Sequence, residues 1–172
     1  MIALKSKNEF VLYDTYAEMI LCDKQGNEKA RVLIDIKDVD KVKQFKWYFG
    51  KNGYCCSKCK ATNNRLVYLH RFIIDSSYDK VVDHIDGNKL NNKRNNLREC
   101  TRQNNSMNIG VRKNNQSGCT GVSYDKTRNK WMVCIVYNYK TIHLGRFKTL
   151  ERAKQVRKKA EIKYFGDYRY KE

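Results

Sequence analysis

The period of apolar positions changes along the chain, and those changes mark its elements. Phe10-Val11-Leu12-Tyr13 reads as a short strand. Ala17 to Cys22 and Arg31 to Ile34 flank Asp23-Lys24-Gln25-Gly26-Asn27, a hairpin signal. Asp38 is placed to cap a short helix carrying Val39, Val42 and Phe45. Trp47-Tyr48-Phe49 and Tyr54-Cys55-Cys56 then flank Lys51-Asn52-Gly53, and an Asn-Gly turn between aromatic runs predicts a second hairpin. The N-terminal third is therefore β-rich.

The middle segment opens with an apolar run, Leu66-Val67-Tyr68-Leu69, followed by His70-Arg71-Phe72-Ile73-Ile74. Val81-Val82 is a short strand ending in Asp83-His84. A polar loop from Asp86 to Asn96 follows, and then a second short strand, Leu97 to Cys100. Thr101 can cap a helix from Arg102 onward. Residues 110 to 118 are polar, basic and bounded by glycine, the composition of a linker. Beyond them the pattern is β-β-β-α. Gly121 to Tyr124, Lys130 to Tyr137 and Lys140 to Phe147 are the strands, with Asn138-Tyr139 as the turn between the last two. In the middle strand Trp131, Val133 and Ile135 alternate with Met132, Cys134 and Val136. Thr149 caps a helix with the stripe Leu150, Ala153, Val156, Ala160 and Tyr164, and Gly166 stops it. The fold class is α+β.

Charge narrows the function. The 172 residues include 36 Lys and Arg against 18 acidic residues, a formal net charge of +18. The basic residues run through the whole chain, interleaved with 12 Tyr, 2 Trp and 6 Phe. A membrane-surface binder would concentrate its charge on one amphipathic helix, whereas this distribution suits a polyanion contacted by several modules. No apolar run approaches the roughly 18 residues of a membrane span, and Met1-Ile2-Ala3-Leu4-Lys5-Ser6 lacks the apolar core of a signal peptide. A cytoplasmic location is expected, in a bacterial host or a phage-infected cell. Seven Cys is an odd count, and a reducing compartment argues against a disulfide framework. Cys56-Ser57-Lys58-Cys59, preceded by Cys55, is one metal-binding-like pair without a second at suitable spacing. Since a structural zinc site needs four ligands, none is expected.

The candidate chemistry lies in Asp83-His84-Ile85-Asp86-Gly87-Asn88, then Asn96-Leu97-Arg98, then Asn105. Phosphodiester hydrolysis needs a deprotonated water aimed in line with the leaving oxygen, and neutralisation of the charge that builds there. A neutral imidazole takes the proton near pH 7. One hard divalent cation with oxygen ligands neutralises the charge. Adjacent carboxylate and imidazole groups at a strand end supply both roles on opposite faces. Asp86, Gly87, Asn88, Asn91 and Asn92 are read as turn formers only.

The run Tyr68-Leu69-His70-Arg71, Val82 to Asn92, Asn95-Asn96-Leu97-Arg98 and Thr101 to Asn105 resembles HNH homing endonucleases of phages and mobile introns. The resemblance implies a two-strand, one-helix (ββα-metal) unit around one divalent cation, magnesium or manganese. It implies Asp83 as a metal ligand, His84 as the general base and Asn96 as the residue bracing that histidine through its loop. It further implies Asn105 as the second protein ligand. An Asn at 105 resembles the phage-intron branch, which often nicks one strand. His70 matches a His-Arg pair of the family and is a candidate support for the site. Arg71 and Arg98 are candidate phosphate clamps.

Gly118-Cys119-Thr120-Gly121-Val122-Ser123, Lys130-Trp131 and His143-Leu144-Gly145-Arg146-Phe147 resemble the ethylene-response-factor type (Apetala-like) DNA-binding domain. That domain lays a three-stranded antiparallel sheet, packed on one helix, in the major groove. Where relatives carry Arg on the middle strand, Met132, Cys134 and Val136 stand here. The remaining candidates for DNA contact are Ser123, Lys126, Arg128, Lys140, Thr141, His143 and Arg146, with Arg112 and Lys113 in the linker. The implied organisation is an N-terminal β-rich module (1–62), an HNH nuclease unit (63–109), a basic linker (110–117) and a sheet-plus-helix domain (118–172). A monomer acting on double-stranded DNA is expected, with neither a membrane nor a small-molecule substrate. The competing reading is a non-catalytic, sequence-specific regulator that retains the nuclease fold. Loss of Asp83, His84 or Asn105 would favour it, and all three are present.

Overall fold

The hairpin signals of the N-terminal third correspond to an antiparallel meander, β1 (Glu9–Leu12), β2 (Tyr16–Cys22) and β3 (Glu28–Asp35). The computed structural model describes residues 8–58, 65–77 and 79–170. Ala17, Met19 and Leu21 on β2 and Val32 and Ile34 on β3 are buried at every second position, as one covered sheet face requires. They pack on Trp47, Leu69, Ile73, Val82 and Leu97, all members of one core. Trp47 is fixed at both ends. Its indole Nε1 donates to the Val42 carbonyl at 2.9 Å, and its backbone N–H donates to Asn8 Oδ1 at 2.9 Å.

Asp38 precedes the single-turn helix α1 (Val39–Val42) but makes no side-chain capping bond. It is not the cap expected from the sequence, because the carboxylate turns inward to the Arg94 guanidinium. A second small sheet follows, β4 (Tyr48–Phe49), β5 (Cys55–Lys58) and β6 (Leu66–Tyr68), antiparallel in that order. The Asn52-Gly53 turn joins β4 to β5, and Gly53 takes the positive φ of 81° that favours glycine. The chain then enters α2 (Leu69–Ile74), which buries Leu69, His70 and Ile73. The sequence shows only an apolar run there.

Strands β7 (Val81–His84) and β8 (Leu97–Cys100) form an antiparallel pair, with Asp83 opposite Arg98 and His84 opposite Leu97. The chain divides after Cys100 into two compact units. The second begins with α3 (Arg102–Met107), capped as expected by Thr101, whose side chain accepts from Asn104 N–H. It continues with β9 (Val122–Asp125), β10 (Lys130–Tyr137) and β11 (Lys140–Phe147), an antiparallel sheet with β10 in the middle. Helix α4 (Leu150–Phe165), capped by Thr149, covers one face. Val133 and Ile135 are fully buried beneath it with Ala153 and Ala160. Met132, Cys134 and Val136 are on the opposite face, together with Ser123, Thr141, His143 and Arg146 by strand register.

Arg157 is a charged residue inside that helical stripe. Its guanidinium donates to the Cys134 carbonyl at 2.6 Å and to Glu161 at 2.8 Å. Gly121, at φ +76°, passes directly beneath: a Cβ there would stand 2.8 Å from Arg157 Nη1 and also collide with the Cys134 carbonyl. Cys22, Cys55, Cys56, Cys100, Cys119 and Cys134 are free thiols, and Cys59 lies outside the described residues. No helix among the described residues is long and apolar enough to cross a membrane.

Candidate active site

Asp83 and His84 close strand β7 and are both buried. Asp83 Oδ2 accepts two bonds from its cross-strand partner Arg98, from Nε at 2.9 Å and Nη2 at 2.7 Å. The His84 Nε2 atom lies 3.4 Å from Asn92 Oδ1. Asn92 is only 1% exposed. Its backbone N–H donates to Leu33 O at 2.8 Å, so the contact to the imidazole is tied to β3. The sequence pattern alone marks Asn92 as a turn former. Its burial depends on a strand nearly sixty residues earlier, which no local pattern announces.

The loop between β7 and β8 is organised around Asn96. Its Oδ1 accepts from Asp86 N–H at 3.0 Å, and its Nδ2 donates to Asp86 Oδ1 and to the Asn91 carbonyl, both at 2.8 Å. Its backbone carbonyl accepts from Ile85 N–H at 2.9 Å. Asn96 thus ties down the two residues that follow His84. Asp86 also accepts from Asn88 N–H and Asn91 Nδ2, which is turn chemistry of the kind expected for it.

Three clasps hold this loop to the part of the unit that precedes it. Leu33 N–H donates to Leu90 O at 2.9 Å, complementing the Asn92 bond to the same residue. The Arg94 guanidinium holds Asp38 through Nε and Nη2 and also donates to Ile73 O. Lys89 Nζ donates to Asn52 O at 2.9 Å and lies 4.5 Å above the Tyr54 ring.

Behind His84 lies a cluster of rings. His70 stands 5.0 Å from His84 edge to face, stacks on Tyr68 at 5.6 Å and meets Tyr54 at 5.1 Å. Burial lowers the pKa of both histidines, in the case of His70 to about 3, with the His84 and Arg71 charges acting in the same direction. For His84 a hydrogen bond to the Asn92 Oδ1 acceptor and the nearby Asp86 and Asp83 charges partly offset the burial. Both imidazoles are neutral at pH 7. Burial also raises the Tyr54 phenol, with the Asp83 charge adding to it.

Asp83, His84, Asn96 and His70 are thus brought together. Arg71 donates to the Ser77 and Lys80 carbonyls, and so braces the segment entering β7. Asn105 is on α3 in the second unit, half-buried, and its carbonyl accepts from Asn108 N–H. Arg112, Lys113, Ser123, Lys126, Arg128, Lys140, Thr141, His143 and Arg146 are all exposed in that unit.

Among the described residues, no three His, Cys, Asp or Glu side chains group as a metal site. The donor chemistry at Asp83 fits a hard cation of modest protein coordination, since magnesium takes one or two carboxylates or amide oxygens and keeps several waters.

The sequence comparisons agree with this geometry. The HNH endonuclease family description matches residues 67–107, the span from β6 to α3. An uncharacterised HNH endonuclease of Acanthamoeba polyphaga mimivirus is 30% identical over 163 residues, covering 94% of this chain and 83% of the relative. The chain belongs to the HNH endonuclease family. Protein 3.8 of Escherichia phage T7 is 46% identical over 50 residues, 29% of this chain and 41% of the relative. No solved structure matches. An HNH endonuclease is a nuclease acting on DNA, and the net charge of +18 on this HNH protein suits that partner.

Proposed function

We propose that this HNH endonuclease hydrolyses phosphodiester bonds in duplex DNA with one divalent cation, magnesium or manganese, as a site-specific nuclease of the homing type. The observation that carries the reading is a buried, neutral imidazole, His84, adjacent to the Asp83 carboxylate and held in a loop that Asn96 braces.

His84 is the general base. With Nε2 directed at Asn92 Oδ1, the proton-accepting role falls to Nδ1. Asp83 would hold the cation, with Asn105 as the second oxygen ligand that the family resemblance implies. When bound, the cation supplies neutralisation of the charge building on the phosphate and the leaving oxygen. Asn96 acts through the loop by fixing Ile85 and Asp86, and so the aim of the imidazole. His70 packs against His84 and limits its rotation. Arg98, from its ion pair with Asp83, and Arg71, from its bonds to the Ser77 and Lys80 carbonyls, are the candidate phosphate clamps beside the site.

The C-terminal sheet is an ethylene-response-factor type reader. Its uncovered face meets the major groove through Ser123, Lys126, Arg128, Lys140, Thr141, His143 and Arg146, while Arg112 and Lys113 follow the backbone. Because recognition is spread over a nuclease unit and a separate reader, a long target is within reach, as suits a homing enzyme. Binding should weaken steeply with salt, with a log–log slope of about −0.9 per phosphate neutralised.

The test is plasmid relaxation with magnesium, on DNA carrying the locus that flanks the gene, comparing the wild type with His84→Ala. Nicking or cutting by the wild type alone, abolished by EDTA, supports the reading. Equal cleavage by both proteins would place the base elsewhere, and full activity in EDTA would exclude the cation.

A further inference from the structure

A carboxylate stands on the sheet face that is proposed to meet DNA, where a polyanion should disfavour it. Asp125 ends β9 and is paired with Lys130, which puts it on the same face as Ser123, Met132 and Arg146. Its two oxygens do different work. Oδ1 accepts the Arg128 backbone N–H at 3.2 Å and closes the turn between β9 and β10. Oδ2 faces two guanidinium groups, Arg128 Nη1 at 3.2 Å and Arg146 Nε at 3.4 Å.

The Arg146 contact crosses the sheet. Arg146 is on β11 and Asp125 on β9, with β10 between them. Neighbouring strands are about 4.8 Å apart, so the arginine must lie extended over the middle strand to arrive. It passes Met132, its own register partner. The contact is made through Nε, on the flank of the guanidinium. The Nη1 and Nη2 fork matches the O6 and N7 acceptors of guanine, and the hydrogen bond to Asp125 is made from Nε. Asp125 is mostly covered, whereas 43% of the Arg146 side chain and 60% of the Arg128 side chain are exposed. A free arginine side chain loses much rotamer freedom when it docks, and one already held loses less.

We infer that Asp125 is a positioning residue for base recognition, holding Arg146 across the sheet so that its guanidinium fork reads guanine in the major groove, with Arg128 held beside it at the sheet edge through Nη1. This rests on the proposal that the sheet face binds DNA. It also gives the apolar middle strand a part: Met132, Cys134 and Val136 form a low floor over which a neighbouring strand's arginine lies.

Asp125→Asn separates the two oxygens. Asparagine retains the Oδ1 acceptor for the turn but presents an N–H to both guanidinium groups. The full chain carrying His84→Ala, which suppresses cleavage, is used to select from a randomised 20-base-pair duplex library. The enriched duplex and its guanine-to-adenine variants are then titrated by fluorescence anisotropy. Arg146→Ala should erase a guanine preference, and Arg128→Ala should weaken it. Asp125→Asn should reduce preference at the same positions by about 5- to 30-fold, the lower part of the range for a bidentate arginine–guanine pair. Affinity for random duplex should hold or rise, because a negative charge has left the face.

Preferences unchanged by Asp125→Asn but altered by Arg146→Ala would overturn the inference alone. A uniform loss of affinity on every sequence, with a lowered melting temperature, would also overturn it, by reducing Asp125 to a turn cap. If neither arginine variant alters the selected motif, or if no motif is enriched, the face does not read bases and both proposals fall.

Discussion

Replacing Asn96 by Asp changes one atom of the site and reverses its hydrogen bonding. The amide Nδ2 now donates to Asp86 Oδ1 and Asn91 O, each at 2.8 Å. In Asn96→Asp both donors are lost and an anionic oxygen faces two acceptors. A bond to a charged partner contributes about 1.5–3 kcal/mol and a neutral one about 1 kcal/mol. Repulsion between two carboxylates adds about 1 kcal/mol in a water-like setting, which is appropriate because Asp86 is exposed. The expected loss of stability is therefore about 3.5–5 kcal/mol at pH 7, a large share of the roughly 5–15 kcal/mol of a small protein. Urea denaturation followed by tryptophan fluorescence reads it, since Trp47 lies in the same core. The sign with pH is fixed. The crowded carboxyl pair has a raised pKa in the folded state, so the native protein binds more protons than the unfolded chain. The deficit relative to wild type should then shrink as pH falls from 7 toward 4. Nicking should fall at least tenfold even where the protein is fully folded, because Ile85 and Asp86 position His84. A variant within about 0.5 kcal/mol of wild type, with undiminished nicking, would refute the bracing role.

Arg94→Ala leaves Asp38, 3% exposed, without its guanidinium; a cost of about 2–4 kcal/mol is expected. Adding Asp38→Asn should recover part of this in a double-mutant cycle, and a single-variant cost below about 1 kcal/mol would contradict the argument. His70 has a folded pKa of about 3, so below its ordinary 6.5 the unfolded chain takes up a proton that the native state refuses. Stability should fall by up to about 1.4 kcal/mol per pH unit on this account from pH 6.5 to 4. His70→Phe should flatten the curve by that amount in melts at pH 5, 6 and 7; identical slopes would sink the assignment. Gly121→Ala meets the Cys134 carbonyl and Arg157 at a positive φ, and should destabilise the second unit by about 2–4 kcal/mol without altering the far-ultraviolet spectrum of the folded protein.

The local chemistry of the chain was legible. Thr101 and Thr149 cap the helices they precede, Asn52-Gly53 turns a hairpin, and the alternation from Trp131 to Tyr137 separates the two faces of the sheet. Asp83-His84 at a strand end was legible for the same reason. The contacts that were missed are long-range. Asp38 resembles a helix cap in sequence but serves Arg94, 56 residues later. Asn92 resembles a turn residue and instead touches His84. Arg157 falls on the buried stripe of α4, where a charge is unexpected until the Cys134 carbonyl above it is located. A polar side chain does not reveal, from its neighbours in sequence, which distant group it will satisfy.

The clasps between the His84 loop and the part of the unit that precedes it bear on transplantation. The recognisable motif spans residues 67–107, yet Leu33, Asp38 and Asn52 hold its loop in place. A minimal nuclease cut at the motif's borders would retain Asp83, His84 and Asn96 and lose the surface against which they are set. Chimeras that borrow this catalytic centre for another reader therefore need the preceding residues, from the meander through the Asn52-Gly53 turn, as cargo, and the natural seam for grafting lies downstream of the β7–β8 hairpin rather than ahead of it.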